Sequence, residues 1–265
     1  LHLSIRRQRQ MCIRDSYITA NEINLCLSIQ TYQESIHSQS YSYILDTICS
    51  PEERSKILYM WKDDEHLLHR NEYIGDQYNH FLERDDEFNF MKAIIANYIL
   101  EGIYFYSGFS FFYNLGRNGK MPGTVQEIRY INRDENTHLW LFRSLINDLK
   151  KERPDLFTEE HIKYYTEMLK EGVEEEIAWG KYAIGDNIAG LNGKMIEDYI
   201  KYLGNLRAKG LGFGPIYEGY KEIPSSMKWV DEYSDPNQVK TDFFEAKVSA
   251  YSKSCLLYTS DAADE

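Results

Sequence analysis

The chain has 265 residues, 43% hydrophobic and 27% charged, with a formal net charge of −12. That is the make-up of a globular protein with chain enough for a substantial core, not of a disordered tail. The acidic balance argues against nucleic acid or an anionic membrane as a main partner. The four cysteines, Cys12, Cys26, Cys49 and Cys255, have no zinc-type spacing and build no disulfide framework, so a reducing, cytoplasmic setting is expected.

In chain order, residues 1–16 (LHLSIRRQRQMCIRDS) and 254–265 (SCLLYTSDAADE) show no helical or strand period that joins their neighbours. The first has no apolar stretch or cleavage site of a secretory signal. Both strings resemble translated sequencing-adapter read-through. They are set aside, leaving 17–253 as one domain, expected to be a fragment of a longer chain.

From Tyr17 to about Cys49 there is no Pro or Gly, and Leu25, Ile29, Ile36, Ile44 and Ile48 stand near helical spacing. Ser50-Pro51-Glu52-Glu53 then reads as a capping box with Pro at the first helical position, opening a second helix that runs to about Glu83. A third is expected from Asp86 to Leu115, stopped by Gly116-Arg117-Asn118-Gly119, and a fourth from Val125 to Glu152, stopped before Pro154. Thr158 starts a fifth, with acids in its first turn, and Lys194–Lys209 forms a sixth. Gly210, Gly212, Gly214 and Pro215 mark a loop, and the remainder is expected to be mostly irregular, with short turns near Thr241–Ser252. Long helices with short joins and no strand pattern predict an all-α bundle.

The run Ile94–Leu115, IIANYILEGIYFYSGFSFFYNL, is long enough to span a membrane, but it carries Glu101 with Asn97 and Asn114 beside it. An intramembrane carboxylate is expensive, so the run is read as the central helix of the bundle. A buried Glu101 must then be protonated, paired with a base or bound to a metal. Glu34 and His37 stand three apart on the first helix, and Glu135 and His138 three apart on the fourth. Each pair shares one helix face and offers one oxygen and one nitrogen ligand. Two such pairs with carboxylates from two other helices are the ligand set of ferritin-like dinuclear iron or manganese proteins. The spacing alone arises by chance in a chain this acidic. Its weight comes from both pairs lying mid-helix while a third helix carries Glu101 in an apolar run.

The strings QESIHSQSYSYI, LEGIYFYSGF and INRDENTHL resemble the small, radical-bearing subunit of class I ribonucleotide reductase, over most of residues 17–253 and in that family's order. The resemblance implies a ferritin-like homodimer in the cytoplasm. A dinuclear metal centre there, iron first with manganese or a mixed manganese–iron pair as alternatives, uses oxygen to make a stable tyrosyl radical. The large catalytic subunit then takes that radical to reduce ribonucleotides to deoxyribonucleotides. It further implies that Glu34 and His37 bind one ion and Glu101, Glu135 and His138 the other, with Glu34 and Glu135 placed to bridge. Tyr41, four residues after His37, takes the radical position. Phe105, Phe109 and Ile131 line an apolar pocket around it, the two Phe following Glu101 at helical spacing. Asp134 orients His37 and helps carry the radical out.

Three features of the family have no counterpart in the sequence. A fourth carboxylate, an Asp upstream of Glu34, would fall in or before the segment set aside, and Asp15 is not taken for it. The upstream Trp and the C-terminal docking tail with its relay Tyr are also missing; Tyr251 and Tyr258 are poor substitutes. Two other functions share the ligands: another ferritin-like dinuclear oxidase, of ligand-binding or desaturase type, and a non-catalytic metal-binding bundle. Tyr41 within HSQSY speaks against the former.

Overall fold

The computed structural model describes residues 18–234, and the segments 1–16 and 254–265 and the turns expected near Thr241–Ser252 lie outside them. Nine α-helices are described: α1 (Asn21–Ile48), α2 (Pro51–Tyr59), α3 (Glu65–Glu83), α4 (Glu87–Gly102), α5 (Tyr106–Arg117), α6 (Pro122–Glu152), α7 (Glu159–Ile184), α8 (Gly193–Gly210) and α9 (Trp229–Ser234). Short 3-10 turns cover Met60–Lys62, Pro154–Phe157 and Ser225–Met227. The described residues contain no strand beyond one isolated bridge, Ile188 to Leu191. The all-α bundle expected from the helical periods is the observed architecture.

Local signals set several helix ends. Ser50 Oγ accepts from the Glu53 amide at 3.3 Å while the Ser50 amide donates to Glu53 Oε2 at 2.9 Å, which is the reciprocal box expected there. Thr158 caps α7 by accepting from the His161 amide. Two expected helices are each broken in two. The segment 51–83 stops at the Met60–Lys62 turn and restarts at Asp64, whose carboxylate accepts from the Leu67 amide at 3.0 Å. An N-cap Asp competes with the helix interior, and here the cap wins. The segment 86–115 breaks between Gly102 and Tyr106, directly after Glu101.

The core is built round α4. Every residue from Asn89 to Gly102 is buried, as expected of a helix apolar on all sides at the centre of a bundle. α4 packs on α3, α6 and α7, and α7 on α8. No described helix is long and apolar enough to cross a membrane. Close approach needs small residues: a Cβ at Gly172 of α7 would stand 2.4 Å from Ile99 Cγ2 on α4.

α1 is inverted relative to its hydrophobic period. Leu25, Ile29, Ile36 and Ile48 face outward and are exposed, while Leu27, Gln30, Glu34, His37 and Ile44 are buried. The buried stripe has helical spacing too, and it is largely polar. Leu27 joins the core and Ile23 packs against it, but most of the stripe that α1 turns inward is polar.

Candidate metal centre

The buried polar stripe of α1 faces α6, whose own inward positions include Ile131, Asn132, Glu135 and His138. α4 adds Glu101, fully buried at its last turn. One ligand atom from each of Glu34, Glu101, Glu135 and His138 falls within 4.8 Å of all the others. His138 Nδ1 lies 3.1 Å from Glu135 Oε2, 3.3 Å from Glu101 Oε2 and 3.6 Å from Glu34 Oε1. His37 stands outside this foursome but beside it, its Nδ1 3.2 Å from Glu135 Oε1. Its other nitrogen, Nε2, lies 3.3 Å from Asp134 Oδ2. The five residues expected as ligands thus converge, and Asp134 lies behind His37.

Two glutamines of α1 belong to the same cluster and were not anticipated. Gln30 donates from Nε2 to Glu101 Oε1 at 3.1 Å, and Gln33 Oε1 lies 3.0 Å from His138 Nε2. Gln30 is one turn before Glu34, so the i, i+4 relation was the available signal.

Without cations the cluster resolves its charge with protons. Burial alone would drive the His138 proton off, but Glu101 and Glu135 outweigh it and raise the imidazole to about 10. Burial also opposes a charged His37, and Asp134 and Glu135 overcome it, raising it to about 9. Burial pushes Glu101 up to about 7, with the Glu135 charge adding to it. For Glu135 burial is outweighed by hydrogen bonds from Glu101, His138 and His37, which hold it down at about 2. Asp134 is likewise lowered, its burial offset by His37 and Arg133. Three buried carboxylates and two imidazoles at one point are hard oxygen and borderline nitrogen donors, the set that iron and manganese take. That donor set fits a dinuclear site.

Tyr41 lines a cavity of about 260 Å³ together with Glu34, His37, Leu100, Phe105 and Glu135, opposite Arg70 and Ile74 of α3. Tyr41 is 37% exposed, so its shielding among the described residues is one-sided. Phe105 lines this cavity, and Phe109 is buried behind it, its ring 6.0 Å from that of Phe105 and 5.6 and 6.4 Å from those of Tyr106 and Tyr113. Ile131 is buried and lines a second cavity of about 440 Å³, with His37 and Asp134.

This geometry has relatives. Residues 8–224 match the family described as "Ribonucleotide reductase, small chain", a match that begins inside the segment set aside above. A ribonucleoside-diphosphate reductase subunit beta of Treponema pallidum is 66% identical over 91% of this chain and 69% of its own length. The subunit beta of Halalkalibacterium halodurans is 41% identical over 89% of this chain and 68% of its own. Among solved structures, the ribonucleotide reductase R2 subunit from Clostridium botulinum superposes with a TM-score of 0.82, at 50% identity, over 88% of this chain and 73% of that one. The chain belongs to the small (beta) subunits of class I ribonucleotide reductase.

Proposed function

We propose that the centre holds two iron ions and serves to oxidise Tyr41 to a stable tyrosyl radical, which passes to the large catalytic subunit for reduction of ribonucleotides. The observation that carries this is the convergence of buried Glu34, Glu101, Glu135 and His138, with His37 held between Glu135 and Asp134. Glu34 and His37 would hold one ion and Glu101, Glu135 and His138 the other, with Glu34 and Glu135 shared. When bound, the ions supply the oxygen-dependent one-electron oxidising power that no side chain has. Manganese or a manganese–iron pair uses the same ligands, and donor type does not separate them.

The chain's own groups divide the remaining work. The Tyr41 phenol gives up an electron and a proton. Phe105, Phe109 and Ile131 keep water and reductants from the site. Asp134 fixes the ring of His37 through the nitrogen that does not face the cluster, as a ligating imidazole requires, and it starts the path by which the radical leaves. A cytoplasmic homodimer is the assembly that this reading assumes. Residues 17–253 form its single domain.

The test is low-temperature electron paramagnetic resonance after anaerobic loading with ferrous iron and exposure to air. A tyrosyl signal in the parent that disappears in Tyr41→Phe is expected. A parent that binds two ions and consumes oxygen without any tyrosyl signal would refute the radical reading and leave a dinuclear oxidase.

A further inference from the structure

The interruption after Glu101 leaves backbone groups without helical partners in the driest part of the molecule, and three charged side chains from three other helices take them. Arg207 of α8 donates from Nε to the Gly102 carbonyl at 2.9 Å. Arg70 of α3 donates from Nη2 to the Tyr104 carbonyl and lies over the Tyr104 ring, 4.3 Å from its centroid. Glu176 of α7 accepts on Oε1, at 3.0 Å, the amide of Ser107 in the first turn of α5. Arg70 and Glu176 are paired with each other: Nε and Nη2 of the guanidinium reach Glu176 Oε2 at 3.0 and 2.8 Å. The Glu176 side chain is fully buried and that of Arg70 is 12% exposed.

A buried ion pair is a poor way to gain stability, because desolvation cancels most of the attraction. This one has a second employment. It grips the backbone on both sides of Phe105, three residues past Glu101 on one side and six on the other. Gly102 fits the same arrangement: a Cβ there would stand 2.7 Å from Leu139 Cδ1 and 3.1 Å from Arg207 Nε. Gly180 of α7 lets the first turn of α5 come close, since a Cβ there would meet Ser107 Oγ at 2.7 Å.

We propose that Arg70 and Glu176 are positioning residues for the metal centre: their pair holds the helix interruption at 103–105 and thereby sets where Glu101 presents its carboxylate and Phe105 its ring. The inference rests on the dinuclear reading, and it concerns the ion that Glu101 serves. Outer groups that orient a ligand change metal affinity by about 10- to 100-fold when removed.

The experiment is a calorimetric titration of the metal-free protein with Mn²⁺ in the absence of oxygen, alongside thermal unfolding. Arg70→Met/Glu176→Leu replaces the pair with apolar side chains of similar size, a change that folds tolerate, but leaves Tyr104 and Ser107 without their partners. It is expected to bind one ion as the parent does and the other about 10- to 100-fold more weakly, and the weakened step is the one that Glu101→Ala loses. Arg70→Lys keeps the charge pair and gives up the two-pronged donor. It is expected to weaken the same ion by about three- to tenfold, a fraction of that range. The inference is overturned if both variants keep both affinities, or if both ions weaken together in step with thermal stability. A parent that binds fewer than two ions removes the dinuclear reading and this inference with it, whereas a parent with two ions and unaltered variants removes the inference alone.

Discussion

Metal loading must expel protons from this centre. Ligating imidazoles are neutral and ligating carboxylates ionised. In the metal-free protein at pH 7, His37 at about 9 and His138 at about 10 are almost fully protonated, and Glu101 at about 7 is half protonated. Filling the site at pH 7 should therefore release about 2.5 protons per chain. At pH 9 His37 is half protonated, His138 about nine-tenths and Glu101 hardly at all, so release falls to about 1.4. Calorimetric titrations with Mn²⁺, run anaerobically in buffers of different ionisation enthalpy, give the proton count directly. His138→Ala should lower the pH 7 value by about one proton. Release below one proton at pH 7, or a count that does not change between pH 7 and pH 9, would refute the proton-filled cluster.

The same groups make the metal-free protein sensitive to base. A histidine whose folded pKa exceeds its unfolded value of 6.5 contributes stability in full below that value and loses it as pH rises through the folded pKa. The urea midpoint of the metal-free chain should fall between pH 7 and pH 10, and a flat or rising midpoint would contradict the assignment. Gly172→Ala forces a methyl against Ile99 and should cost about 1–3 kcal/mol in urea unfolding. Gly108→Ala, with nothing within 4 Å of the added carbon, should stabilise α5 by about 0.5–1 kcal/mol. If the two have the same sign, the packing of α7 on α4 is wrong. Asp134→Asn should weaken Mn²⁺ binding about 10- to 100-fold by loosening His37, and an unchanged affinity would detach Asp134 from the centre.

Much of the site was legible because its signals are local or nearly so. Glu34 with His37 and Glu135 with His138 share helix faces by spacing alone, and the apolar run around Glu101 announced a carboxylate that burial would force to find partners. The Ser50–Glu53 box closes within four residues, and it was read correctly for the same reason. The apolar period of α1 identified the helix but not its inward face. Leu25, Ile29 and Ile36 have the period of a core stripe, yet Gln30, Glu34 and His37 are the residues inside. Charge and hydrogen-bond demand gathered at one point outweighed the hydrophobic preference along one helix.

Residue identities at helical spacing therefore determined by themselves that this is a bundle of long helices, which side chains can ligate, and that Glu101 cannot stay alone. Only the tertiary structure decided that the helix carrying Glu101 stops one residue later. No breaker stands at Ile103, Tyr104 or Phe105. The interruption survives because Arg70, Glu176 and Arg207, which lie 34, 69 and 105 residues from the backbone groups they bind, satisfy what the broken helix leaves open. A backbone hydrogen bond lost in a dry core must be replaced, and partners so distant in the chain leave no periodic trace in it.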